Sequence, residues 1–194
     1  MLGNHLALII SWVLFAVIHH VMAAEAFKSR CQQLMGSKFR FYRLIFSIIA
    51  FITLFSVIYF QLSIDSPLLD IPKVIAFFPG LPMALAGLAI MHICIYKYFF
   101  RLSGVAVLAK VDCDPKLETD GVHRYVRHPL YLGTLMLIWA LFLFFPLVSN
   151  LIASAAITVY VIIGIRSEEK KLCRLFGPIY RKYQRETPML LPLA

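Results

Sequence analysis

The chain has few charged residues for its length. Only 15% of its 194 residues are Asp, Glu, Lys or Arg, whereas 61% are hydrophobic, and the mean hydropathy is +0.81. A soluble domain of this length needs more polar surface, so this composition excludes an ordinary water-soluble fold. Because about 20 apolar helical residues cross a bilayer core, the chain has room for roughly four to six membrane spans and little else.

The chain also lacks paired cysteines and the common catalytic signatures. Its four cysteines are scattered, with no CxxC pair and no histidine at a metal-ligand spacing. A disulfide framework and a metal site are therefore not expected. There is no Gly-rich phosphate loop, no Walker motif and no Ser-His-Asp signature. These absences exclude the most familiar classes of soluble enzyme.

Acidic residues are scarce, and the basic residues are clustered. The net charge is +9, from 19 Lys and Arg against 10 Asp and Glu. All Lys and Arg except Lys73 fall in three stretches that follow apolar runs, at residues 28–43, 97–127 and 166–185. This is the positive-inside pattern of membrane proteins, so we expect these stretches on the cytoplasmic side and no nucleic-acid partner. The N-terminus is then expected outside and the C-terminus in the cytoplasm, most simply at a bacterial inner membrane.

The first half of the chain predicts three spans. Apolar runs cover residues 6–24, 41–61 and 74–96, and prolines at 79 and 82 suggest a kink or a broken start in the third. A cleaved signal peptide is the alternative for the first run. It is disfavoured because the basic residues follow the run instead of preceding it.

The second half predicts a helical hairpin. The apolar stretch 131–165 is too long for one span, and Pro146 near its middle supplies a turn. About five spans result, which is an all-α integral membrane protein with a C-terminal helical hairpin. We predict a single domain over 1–194, with the three spans in 1–98 and a loop, the hairpin and interfacial helices in 99–194.

Polar residues meet where the hairpin begins and ends. Arg127 and His128 precede Pro129, which suits the first turn of a helix whose N-terminus favours anionic groups. The hairpin returns Arg166, Glu168 and Glu169 to the same membrane face. We call this meeting point, residues 127–131 and 166–169, the mouth. Juxtamembrane anchoring is the alternative for the basic residues, but acidic and basic groups together are suited to a zwitterionic ligand.

Residues 170–185 predict two short helices separated at Gly177-Pro178. Apolar and basic side chains alternate at helical spacing, so we expect interfacial helices on the inner leaflet, with Tyr180 and Tyr183 at headgroup level. Packing over the mouth as a lid is the alternative.

Two motifs resemble a known family. Residues 121–133, GVHRYVRHPLYLG, are similar to the signature G-x-Y-x-x-x-R-H-P-x-Y-x-G of membrane-embedded methyltransferases such as the isoprenylcysteine carboxyl methyltransferases. Residues 168–183 are similar to a second signature, E-E-x-x-L-x-x-x-F-G-x-x-Y-x-x-Y. Residues 15–28 and 185–192 resemble the nurim-like branch, which includes bacterial methanethiol S-methyltransferases.

The resemblance implies S-adenosyl-L-methionine as cofactor, S-adenosyl-L-homocysteine as product, and a binding site at the mouth. By motif position the cofactor-binding residues would be Lys116, Leu117, Glu118, His123, His128, Pro129, Leu130, Tyr131, Glu168 and Glu169. Arg127 or Arg166 would orient an acidic acceptor. This chain departs from the family at His123, where tyrosine is usual, and at 115–118, where His-x-Leu-Val is usual.

The implied reaction is methyl transfer to a small or lipidic apolar acceptor, either a thiol or a carboxylate, at the cytoplasmic membrane face. Two alternatives stay open. One is a true isoprenylcysteine carboxyl methyltransferase, and the other is a non-catalytic nurim-like membrane protein that has kept the fold.

Overall fold

The regular structure of the protein is helical. The computed structural model describes residues 2–103, 105 and 117–191, and no named strand occurs among them. The seven α-helices of this described part are α1 (Leu2–Ala23), α2 (Glu25–Met35), α3 (Tyr42–Ser63), α4 (Lys73–Ser103), α5 (Pro129–Phe144), α6 (Val148–Phe176) and α7 (Pro178–Glu186). Single 3-10 segments cover Gly36–Phe41 and Gly121–Arg124.

Four stretches of helix are long and apolar enough to cross a membrane, and they confirm an all-α integral membrane protein. They are Leu2–Ala23, Glu25–Ser63, Ala76–Tyr98 and Val148–Phe176. The fifth predicted span, α5, has 16 residues. It is therefore about 24 Å long, slightly short of a bilayer core, as expected for one arm of the hairpin.

Of the two alternatives predicted for the third span, a kink or a broken start, the broken start is not observed. Helix α4 is unbroken from Lys73 to Ser103, with Pro79 and Pro82 inside it. Each proline removes one backbone hydrogen bond, a loss that membrane helices tolerate when other groups or local adjustments satisfy the freed carbonyls. The Phe144 ring packs against this part of α4 and would lie 2.9 Å from a Cβ placed on Gly80.

The chain divides into two compact units. The first comprises Met1–Pro67 and Tyr98–Cys113, and the second comprises Leu68–Lys97 and Asp114–Ala194. In the first unit, α1 packs against α3 and polar pairs join them. Trp12 donates to Gln61 across 3.2 Å, and the Tyr42 hydroxyl donates to the Met22 carbonyl across 2.5 Å. These bonds satisfy polar atoms in a segment that lies in lipid.

In the second unit, α5 and α6 form the predicted hairpin. Trp139 donates to Thr158 across 3.0 Å, and Ser154 donates to the Ile138 carbonyl across 3.2 Å. At the turn, the Pro146 carbonyl accepts a bond from the Leu69 amide at 2.7 Å. Hydroxyl and indole groups thus form hydrogen bonds between the two helices of the hairpin.

Helices α4 and α5 approach each other closely at two glycines. A Cβ on Gly87 would lie 2.9 Å from the carbonyl oxygen of Gly133, and a Cβ on Gly133 would lie 3.0 Å from the carbonyl oxygen of Gly87. Only glycine at both positions allows this backbone separation. The crossing fixes α5, whose first residue follows His128.

Helix α6 continues past its apolar part and ends at a required glycine. It runs through Arg166, Glu168 and Glu169 to Phe176, and Gly177 follows with φ 54° and ψ −126°. Residues other than glycine rarely adopt this combination of backbone angles. Pro178 then starts α7, so the predicted break at Gly177-Pro178 is confirmed, whereas residues 170–176 continue α6 and do not form the separate short helix that was predicted.

Gly177→Ala is expected to reduce the free energy of unfolding by about 1–2 kcal/mol, because the Cβ disfavours a positive φ. Thermal unfolding in detergent would measure the loss. Gly164→Ala is the matched control, since a Cβ there meets nothing within 4 Å. Equal melting temperatures for the two variants would contradict this account of the break.

Candidate functional site

The C-terminal segment 187–191 crosses the start of α5. The Arg127 amide donates to the Pro188 carbonyl at 2.9 Å, and the His128 amide donates to the Met189 carbonyl at 3.2 Å. Because Pro129 is the first residue of α5, the earliest bond within the helix is from the Leu132 amide to the His128 carbonyl. The amides of Leu130 and Tyr131 therefore have no acceptor within the helix, and such amides favour an anionic group.

Arg127 joins three parts of the site. Its Nε donates to Oε1 of Glu169 at 2.7 Å, and its Nη1 donates to the carbonyls of Gln184, at 3.0 Å, and Thr187. Its side chain is only 9% exposed. These contacts support a positioning role for Arg127. Its predicted contact with an acidic acceptor stays a prediction, as does that of Arg166, which lies exposed on α6.

Glu169 accepts hydrogen bonds from several directions. Besides Arg127, its Oε1 receives Tyr180 Oη at 3.3 Å and lies 3.2 Å from Nε2 of His128. Its Oε2 accepts the Gln184 side chain at 3.1 Å. One carboxylate therefore connects the start of α5 with α7. Both Glu169 oxygens already accept hydrogen bonds from protein groups.

Glu168 has different surroundings from its neighbour. Its side chain is 44% exposed, and its Oε2 lies 3.9 Å from Nδ1 of His128, beyond hydrogen-bond distance. The rings of His128 and Tyr131 are 5.8 Å apart. His128 itself is buried. Glu168, Tyr131 and His128 have oxygen or ring-nitrogen atoms that can accept hydrogen bonds, and we call them the acceptor-rich group; its carboxylate is partly accessible.

The tyrosines of α7 are buried instead of lying at the membrane headgroups, so that prediction is wrong. Tyr180 is 1% exposed and Tyr183 is 8% exposed. Tyr183 donates to the His123 carbonyl at 2.5 Å, while Tyr180 bonds Glu169. Burial raises the pKa of Tyr180, and the Glu169 carboxylate raises it further. Helix α7 packs over the mouth, which was the alternative prediction, because each tyrosine hydroxyl has a hydrogen-bond acceptor there.

The loop before α5 adds a second ion pair. Lys97 Nζ lies 3.1 Å from Oε2 of Glu118. Burial lowers the pKa of His123, and the Lys97 cation lowers it further, while Glu118 opposes part of the shift. The neutral form of His123 is therefore favoured at neutral pH.

The remaining predicted cofactor residues lie near these groups in the chain. Pro129 is buried at the start of α5, and Leu117 is half-buried beside Glu118. Lys116 lies outside the described residues. Over the described part of the chain, no group of three His, Cys, Asp or Glu residues could hold a metal ion.

Sequence reasoning missed Gln184 and Thr187. Gln184 lies one helical turn after Tyr180 on α7, and both side chains bond the same Glu169 carboxylate. The i, i+4 spacing was a usable signal for Gln184. Thr187 acts through its backbone carbonyl, for which the sequence offers no signal.

The fold and site define an integral membrane protein with a network of carboxylate, histidine, arginine and tyrosine groups at the polar end of a helical hairpin. The model of the NnrU protein family matches residues 7–192, and the chain belongs to that family.

Several curated relatives are methyltransferases. Methanethiol S-methyltransferase 1 of Bradyrhizobium diazoefficiens is 30% identical over 191 residues, 92% of this chain and 64% of that protein. The methanethiol S-methyltransferase of Pseudomonas deceptionensis is 38% identical over 100 residues, 48% of this chain and 37% of that protein. Protein-S-isoprenylcysteine O-methyltransferase of Schizosaccharomyces pombe is 38% identical over 90 residues, 45% of this chain and 37% of that protein.

These similarities confirm the resemblance to membrane methyltransferases that the two signatures indicated. The chain spans no more than 64% of the length of these relatives. No solved structure matches the chain significantly.

Proposed function

We propose that this protein transfers a methyl group from S-adenosylmethionine to a small or lipidic apolar acceptor at the cytoplasmic face of a membrane. The acceptor-rich group of Glu168, Tyr131 and His128 carries the proposal, together with the similarity to membrane methyltransferases. The basic stretches support an orientation with the N-terminus outside and the C-terminus in the cytoplasm, in a bacterial inner membrane. The single domain over 1–194 is part of this proposal.

The residues present fit the polar end of this cofactor. The Glu168 carboxylate suits its ammonium group, and Nδ1 of His128 lies 3.9 Å from Oε2 of Glu168. The amides of Leu130 and Tyr131, at the start of α5, suit its carboxylate. When bound, S-adenosylmethionine supplies an electrophilic methyl group on a sulfonium, and S-adenosylhomocysteine remains after transfer.

The protein's own contribution is positioning and exclusion of water. A thiolate or carboxylate acceptor needs little acid–base assistance, so orientation supplies most of the acceleration. Hydrogen bonds from Arg127 and His128 hold the segment 187–191 across the start of α5. In this proposal an apolar acceptor enters from the lipid beside the hairpin of α5 and α6.

Two acceptor classes are favoured by the relatives' names. Methanethiol is named for the relatives from Bradyrhizobium and Pseudomonas, so a small thiol is the first acceptor proposed. An isoprenylated cysteine is favoured by the relative from Schizosaccharomyces. Labelled cofactor incubated with methanethiol or with a farnesylated cysteine analogue would separate the two classes.

Glu168→Gln is expected to weaken S-adenosylmethionine binding by roughly tenfold to a hundredfold, because a charge-assisted hydrogen bond to the ammonium is lost. Calorimetry on the detergent-purified protein would measure the dissociation constants. Glu186→Gln is the matched control, since Glu186 is exposed on α7 and pairs with Lys182 at 3.8 Å. Unchanged affinity in Glu168→Gln would exclude this carboxylate as a ligand, and no binding by the wild-type protein would support the non-catalytic alternative.

A further inference from the structure

Glu169 lies beside the proposed cofactor ligands, and its hydrogen bonds go to the protein. We infer that Glu169 is a positioning residue that fixes the tautomer of His128, so that the unprotonated Nδ1 is presented toward Glu168. The expected effect of this tautomer on cofactor affinity rests on the proposed function. The tautomer itself can be measured without a cofactor.

The hydrogen on the His128 ring follows from its partner. Oε1 of Glu169 lies 3.2 Å from Nε2 of His128 and 2.7 Å from Nε of Arg127. The Arg127 cation favours the ionised carboxylate, and an ionised carboxylate only accepts hydrogen bonds. Nε2 must therefore carry the hydrogen. In the neutral ring Nδ1 is then left with a lone pair.

That lone pair faces a second acceptor. Nδ1 of His128 lies 3.9 Å from Oε2 of Glu168, too far for a direct hydrogen bond. Two acceptors at this separation repel each other mildly and attract a group with several donor hydrogens. An ammonium group has three such hydrogens. With the opposite tautomer, Nδ1 would carry a hydrogen and could no longer accept one from the ammonium.

Glu169 also connects His128 to the segment that crosses it. Its Oε2 accepts Gln184 Nε2 at 3.1 Å, and Arg127, its partner, donates to the carbonyls of Gln184 and Thr187. The His128 amide is bonded to the Met189 carbonyl at 3.2 Å. Glu169 is thus bonded to the His128 ring and, directly and through Arg127, to residues next to the segment that binds the His128 amide.

The test uses NMR of ¹⁵N-histidine in the detergent-solubilised full chain, recorded above the usual histidine pKa of about 6.5. A His128→Asn variant identifies the resonances. For the wild-type protein we expect a protonated Nε2 and an unprotonated Nδ1. In Glu169→Gln we expect a mixture of tautomers, because an amide offers both a donor and an acceptor. Glu186→Gln, which removes an exposed carboxylate, should leave the spectrum unchanged.

Affinity for S-adenosylmethionine should fall about tenfold in Glu169→Gln, which corresponds to one weakened hydrogen bond. A wild-type ring that carries hydrogen on Nδ1 would overturn the inference, as would an identical His128 spectrum in Glu169→Gln. If Glu169→Gln does not fold, the wild-type spectrum still decides the tautomer. A protein with the Nε2-protonated ring and no affinity for S-adenosylmethionine would support the tautomer assignment and refute the proposed function.

Discussion

Replacing Arg127 with alanine is expected to reduce the free energy of unfolding by about 3–5 kcal/mol, because it leaves a partly buried carboxylate without its cation. The Glu169 side chain is 17% exposed and receives its shortest hydrogen bond from Arg127, at 2.7 Å. Two backbone carbonyls, those of Gln184 and Thr187, lose a donor at the same time. The variant should therefore loosen α7 and the segment 187–191 together.

Thermal unfolding in detergent would measure the stability of Arg127→Ala, and limited proteolysis would report exposure of the C-terminal segment. Arg124→Ala is the matched control, because Arg124 is exposed three residues earlier in the same loop. Arg127→Lys should recover only part of the loss, since lysine lacks the planar set of donors with which Arg127 reaches three acceptors. If Arg127→Ala behaves like Arg124→Ala, Arg127 does not hold this segment.

Gly133→Leu is expected to cost about 3 kcal/mol or more, because the new side chain overfills a close helix crossing. A Cβ at Gly133 would lie 2.9 Å from Cγ of Met91 and 3.0 Å from the carbonyl oxygen of Gly87. A backbone oxygen cannot rotate away as a flexible side chain can. Helices α4 and α5 must therefore separate, and the start of α5 with His128 should shift with them.

Two measurements test the Gly133→Leu variant. Thermal unfolding reports the stability, and calorimetry with S-adenosylmethionine reports whether the start of α5 keeps its position. Gly164→Leu is the control, since a Cβ at Gly164 on α6 meets nothing within 4 Å. A Gly133→Leu protein as stable as Gly164→Leu would show that the crossing can open without cost.

The Gly133 contacts also give a structural reason for one signature residue. The final glycine of the first signature lies where α5 meets Gly87 of α4, and its contacts are with that helix. Arg127 from the same signature bonds Glu169 from the second. Within this chain the two signatures thus include residues that hold the site together as well as residues proposed to bind the cofactor.

The sequence by itself determined the membrane class and most of the helix plan. Long apolar runs predict spans because a bilayer requires them, and the run 131–165 with Pro146 predicted the hairpin that α5 and α6 form. The motif order also placed His128 and Glu168 at one mouth, where they lie 3.9 Å apart. These features depend on local composition and on spacing along the chain, which a sequence displays directly.

The tertiary structure alone decided how the carboxylates and tyrosines of the candidate site are placed and bonded. Glu168 and Glu169 are adjacent and chemically identical, yet successive residues of a helix point about 100° apart, so Glu169 bonds Arg127 while Glu168 stays partly exposed. Tyr180 and Tyr183 were expected at the membrane surface, but they are buried because acceptors from distant parts of the chain meet them. Tertiary packing sets which way each face of a helix points and which carbonyls its side chains contact. Spacing along the chain does not specify this packing.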